Sequence, residues 1–171
     1  SNANLTLNAQ SQVVIDDLSS NQLRLQGDLA INVIGSALGS AEEQAIVFTT
    51  RGANDTISTD GTITVQVTDG SVSANALIDL AGKMEAEPLP APLPNDPMRP
   101  ADTISLAATN GRIRVRSTAS LHALADDSAA GRILLSVDGI TKVNESGTIL
   151  FSGVADASSD AGVGGSVKLL A

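Results

Sequence analysis

At 171 residues the chain is long enough to bury a core without a disulfide or metal staple, and its lack of cysteine excludes a disulfide framework and thiol chemistry. Nineteen acidic residues against ten basic ones leave a net charge of −9, which repels phosphate backbones and anionic headgroups and so argues against nucleic-acid partners. No apolar run approaches the roughly 20 residues that cross a bilayer as a helix, so membrane insertion is not expected.

Ser1, Asn2 and Ala3 carry no pattern and read as the remnant of an expression tag. Residues 4–171 are expected to form a single unit. Two Phe, no Tyr and no Trp in a chain that is 42% hydrophobic mean that its core is built from Val, Ile, Leu and Ala. Immunoglobulin-type sandwiches pack a Trp between their sheets. Small, uniform aliphatics suit the narrow interior of a solenoid, where like positions stack from coil to coil and a large ring would disturb its neighbours.

Short runs of alternating apolar residues bounded by Gly, Asn, Asp or Ser predict strands along the whole chain. In order they are Leu5 to Leu7, Val13 to Ile15, Leu23 to Leu25, Leu29 to Ile34, Ala45 to Thr49, Thr56 to Ser58, Thr62 to Val67 and Ser71 to Ala74. Leu77 to Leu80, Thr103 to Ala107, Arg112 to Val115, Arg132 to Val137, Thr148 to Phe151 and Ser166 to Leu170 follow. Helical periodicity is nearly absent. The spacing fits a solenoid with several short strands per coil or an antiparallel β-sandwich of the cadherin or immunoglobulin type; Asp60-Gly61, Asp69-Gly70, Asn110-Gly111 and Asp138-Gly139 keep hairpins open. Short strands and missing aromatic anchors favour the solenoid.

Residues 83–102 hold all six prolines, as in Glu87-Pro88-Leu89-Pro90-Ala91-Pro92-Leu93-Pro94. Proline cannot donate to a ladder, so Lys83 to Asp102 is expected to be an extended loop inserted in the unit, serving as a linker or as a protruding recognition loop.

The C-terminal part reads Gly147-Thr148-Ile149-Leu150-Phe151-Ser152-Gly153, then small residues, then Gly162-Val163-Gly164-Gly165-Ser166-Val167-Lys168-Leu169-Leu170. Thr103 to Leu106 followed by Asn110 to Val115 is a looser echo, and Asp60 to Val65 followed by Gly70 to Ala74 is another. This pattern resembles the coils of filamentous-haemagglutinin-type adhesins. The resemblance covers about half of the chain. It implies a right-handed parallel β-helix, an extended rod on a bacterial surface, and adhesion or biofilm roles, with a protein or glycan on a cell surface as the partner open to it. The irregular coil length suits an internal fragment of a larger exported protein, with end-to-end or edge contacts between fragments open to it.

A catalytic triad needs a base beside its nucleophile. The single histidine, His122, lies in Ser120-Leu121-His122-Ala123-Leu124 with no second ligand-type residue at helical or strand spacing, which points to a surface or loop role and leaves zinc without a ligand set. Polysaccharide-cleaving β-helices work through clustered carboxylates; the candidates are Asp126, Asp127 and Asp138, whose simpler role is to cap turns. Asn54-Asp55, Asp60, Asp126-Asp127 and Asp156 with Asp160 offer oxygens for calcium, but no Gly-Gly-x-Gly-x-Asp repeat is present. Neither an enzymatic activity nor a cofactor is expected.

Arg112, Arg114 and Arg116 alternate with Ile113 and Val115, so a strand would aim three guanidinium groups from one face. They are the candidate ligand-binding residues, suited to the carboxylate or sulfate oxygens of an acidic glycan. The competing reading pairs them with Asp or Glu on adjacent coils. Thr62, Thr64, Gln66 and Thr68 form a second outward row, a hydroxyl and amide face whose plain reading is a solvated sheet.

Overall fold

The computed structural model describes residues 4–16, 18, 22–35, 46–71, 75–87, 103–125, 131–139, 147–159 and 164–171. Among them lie sixteen strands and no helix. The first eight are β1 (Leu5–Ala9), β2 (Gln12–Ile15), β3 (Gln22–Leu25), β4 (Leu29–Gly35), β5 (Ile46–Thr50), β6 (Thr56–Thr59), β7 (Ile63–Asp69) and β8 (Ala76–Leu80). The rest are β9 (Lys83–Ala86), β10 (Thr103–Thr109), β11 (Gly111–Val115), β12 (Ser120–Ala125), β13 (Arg132–Asp138), β14 (Thr148–Phe151), β15 (Val154–Ser159) and β16 (Ser166–Leu170).

Every third strand stacks on the last. The first sheet runs β1-β4-β7-β10-β13-β16, the second β2-β5-β8-β11-β14 and the third β3-β6-β9-β12-β15. All ladders between these strands are parallel. The fold is therefore a right-handed parallel β-helix, and the antiparallel sandwich is excluded. The Asn-Gly and Asp-Gly pairs at 69–70 and 110–111 do not make hairpins: they turn the chain from the first sheet into the second.

Register shows why no sequence period is visible. Leu5, Leu29, Ile63, Ile104, Ile133 and Val167 occupy one inward row of the first sheet, so successive coils take 24, 34, 41, 29 and 34 residues. The strands keep their lengths while the corners between them absorb the variation. Leu7, Ile31, Val65, Leu106, Leu135 and Leu169 form the neighbouring inward row. At about 4.8 Å per strand, the six strands of this sheet rise through about 24 Å.

The core has the expected aliphatic make-up, with one correction. Phe48 is fully buried between Val13 and Ile78 of the adjacent coils, so a large ring does fit the interior where a smaller β-branched neighbour yields room. Phe151 lies half-buried in the terminal coil, stacked on Val115.

The strand assignments differ in three places. Lys83–Ala86, placed in the proline loop by sequence, is a strand paired with β6 and β12, because Met84 and Ala86 supply two inward side chains before the first proline. Ser120–Ala125 and Val154–Ser159 are strands that the hydrophobic pattern does not predict. The expected strand Ser71 to Ala74 falls largely on 72–74, which lie outside the described residues, as do 88–102 of the proline segment.

Corners are held by side chains that replace ladder partners. Asn110 takes a left-handed backbone (φ 59°), donates its backbone N–H to the Asp138 carbonyl at 2.7 Å and its side-chain amide to the Asp69 carbonyl at 2.7 Å. One residue thus ties three coils at the first corner. At the second, the Thr50 hydroxyl accepts the N–H groups of Ala81 and Gly82 at 3.0 and 3.1 Å.

Candidate functional site

The arginine stripe is carried by β11 and the residue after it. Ile113 and Val115 are buried, which turns Arg112 and Arg114 outward on the second sheet; Arg116 follows the strand's last residue and leaves from the corner. The coil below brings Asp79 to the same place. Asp79 pairs in register with Arg114, and its side chain is 9% exposed.

Arg116 grips this carboxylate with a fork: Nε donates to Oδ1 at 2.8 Å and a terminal nitrogen to Oδ2 at 2.6 Å. Arg114 adds a looser contact of 3.8 Å to Oδ2. The hydrogen bond from Arg116 and the negative charge it faces raise the Arg116 pKa above its ordinary value. Charge-assisted bidentate pairing of this kind is the strongest geometry open to a guanidinium. Two of the three arginines are thus committed to an internal carboxylate, as the adjacent-coil reading has it. Arg112, flanked in register by Leu77 and Thr148, has no ion-pair partner among the described residues.

Of the carboxylate candidates, Asp138 alone lies among the described residues. Asp138 ends β13 in the first sheet, and its side chain accepts the N–H of Gly139 at 2.7 Å, capping its own turn. Asp126 and Asp127 lie outside the described residues. Asp60 accepts the N–H of Gly27 from the preceding coil, and Asp69 caps Ser71 and Asn75 at 2.8 and 2.9 Å. Asp55 is buried at the second corner, and its Oδ2 has no hydrogen-bond partner among the described residues. No group of three or more Asp, Glu, His or Cys side chains able to hold a metal ion occurs among the described residues; Asp160 is not among them.

His122 is on a strand, not in a loop. It points outward on the third sheet, in register with Glu85 on one side and Asp156 on the other, its Nδ1 3.8 Å from the Asp156 carboxylate. Sequence spacing could not reveal this row, because its members are 37 and 34 residues apart and are joined only by the ladder.

The outward face of the first sheet is of another kind. One row runs Thr6, Ala30, Thr64, Ser105, Leu134 and Lys168; the next runs Asn8, Asn32, Gln66, Ala107, Ser136 and Leu170. Asn32 donates its side-chain amide to the Asn8 side-chain oxygen at 2.9 Å, so the amides stack as a ladder. Of the Thr62 to Thr68 row, Thr64, Gln66 and Thr68 lie on this face, while Thr62 precedes the strand and donates its N–H to the Asp28 carboxylate at 2.8 Å. Comparison with protein-family models, with curated proteins and with solved structures finds no match to this chain.

Proposed function

We propose that this chain is a non-catalytic structural and adhesive module of an exported, surface-displayed bacterial protein. The observation that supports this reading is the unbroken stacking of the three sheets from Leu5 to Leu170. Each coil closes its backbone hydrogen bonds on its neighbours and puts its variable residues into corners and outward faces, as suits a rod that extends and presents surface. The side chains with the most pronounced chemistry serve this scaffold: Arg116 and Asp79 pin one coil to the next, and Asp69 and Asp138 cap corners.

Beads coated with the folded chain test the reading. They should adhere to bacterial or epithelial cells well above beads coated with heat-denatured chain. Equal adhesion of the two preparations, or none by either, rejects it.

A further inference from the structure

Charge is divided unevenly over the outward faces, and on the first sheet it is confined to one end, at Arg132 and Asp138 of β13 and Lys168 of β16. Asp79, Arg112 and Arg114 project from the second sheet, and Lys83, Glu85, His122 and Asp156 lie along the third. On β1, β4, β7 and β10 of the first sheet, by contrast, every outward side chain is Thr, Ser, Asn, Gln, Ala or Ile. The chain as a whole is 17% charged, and depletion of charge is what marks the centre of a contact surface. In a chain of net charge −9 such a face stands out.

Its chemistry limits the occupant. A protein partner would be gripped by Trp, Tyr or Arg anchors, and these four strands present none outward. A polyanion needs cations to replace its counterions, and there are none here either. What remains, beside Ala30, Ile34 and Ala107, are hydroxyls and amides, which both donate and accept hydrogen bonds and are far cheaper to desolvate than charges. They stand in a lattice of about 4.8 Å between strands and about 6.6 Å along them. Asn8 and Asn32 already hydrogen-bond across that lattice, with Thr64, Gln66 and Ser105 continuing it.

We infer that the outward face of β1, β4, β7 and β10 binds an extended neutral polysaccharide. Its hydroxyls match the donors and acceptors of the face, and its length allows many weak contacts to act together. The inference rests on the adhesive reading and assigns that module its contact face and ligand class.

Affinity electrophoresis of the folded chain through gels containing dextran, galactomannan or xyloglucan, and separately polygalacturonate or heparin, tests it. Wild type should be retarded by at least one neutral polymer. Ala107→Glu and Gln66→Lys, both on outward positions, should weaken that retardation about tenfold or more with unchanged thermal unfolding, and Arg112→Ala should leave it intact. Absence of retardation by every neutral polymer overturns the inference, as does retardation insensitive to both face variants. Retardation only by the acidic polymers, lost in Arg112→Ala, overturns it in favour of the second sheet. If coated beads adhere while no neutral polymer retards the chain, the adhesive reading stands and this assignment falls; if the beads do not adhere, the adhesive reading itself falls.

Discussion

Arg116 and Asp79, 37 residues apart in sequence, meet as a two-bond fork between adjacent coils. The two sides of the pair are unequal: the Asp79 side chain is 9% exposed and that of Arg116 51%. Removing the arginine strands a nearly buried carboxylate, whereas removing the carboxylate returns two arginines to water. Losing one partner of a fully buried pair costs about 3–5 kcal/mol, and solvent screening at the half-exposed Arg116 reduces this to about 1–2 kcal/mol. Arg116→Ala should therefore destabilise the fold more than Asp79→Asn, and the double variant should recover part of the loss. Urea unfolding of the four proteins gives the coupling directly. Equal costs for the single variants would contradict this account.

Position along the solenoid should set the cost of a core truncation. Leu135 and Leu169 are register partners in the same inward row, yet Leu135 is fully buried and Leu169 is 51% exposed on the terminal strand. Leu135→Ala should cost about 2–4 kcal/mol and Leu169→Ala less than about 1 kcal/mol, because half of the latter side chain is already in water. Thermal unfolding of the two variants measures the difference. A similar loss in both would mean that the terminal row is covered in solution.

How much of this was legible in sequence depended on the sheet. The first two sheets are legible almost completely, since their inward rows hold β-branched residues such as Ile31, Val65, Ile78 and Ile113 at alternate positions. The three strands that the hydrophobic pattern does not predict, β9, β12 and β15, all belong to the third sheet. Their inward residues include Ala86, Ala123, Ala155 and Ala157, and alanine has low strand propensity and little apolar contrast. These segments become strands because each has a ladder on a neighbouring coil, a tertiary effect that a local window cannot register. The same limit hid Asp79 as partner of the arginines and Glu85 and Asp156 as neighbours of His122. Alternation alone predicted which way Arg112 and Arg114 would point.

Two glycines should respond oppositely to the same substitution. A Cβ on Gly111 would lie 1.9 Å from the Ala76 carbonyl oxygen of the coil below, a backbone atom that cannot move without breaking the ladder. Gly164 has nothing within 4 Å of that position. Gly111→Ala should lose about 2 kcal/mol or more. Gly164→Ala should be neutral or slightly stabilising, within about 1 kcal/mol, since it mainly reduces the freedom of the unfolded chain. Parallel melting curves are sufficient to compare them.

The second corner contains its own internal control for a buried acid. In one coil Asp55 donates its N–H to the Gly52 carbonyl at 3.1 Å, and its own carbonyl accepts the N–H of Lys83 above it. Two coils later Ala119 repeats both bonds, donating to Arg116 at 3.0 Å and accepting from Val154. The same turn is thus built once with a buried carboxylate and once with a buried methyl group. Asp55 Oδ2 has no hydrogen-bond partner among the described residues, and an unpartnered buried polar atom costs about 1–3 kcal/mol. Asp55→Ala should therefore leave the protein as stable or raise its stability by up to about 1 kcal/mol, after allowance for the small cavity left behind. Chemical unfolding at neutral pH reads this out, and a loss above about 1 kcal/mol would show that the carboxylate holds the corner through a contact that Ala119 does without.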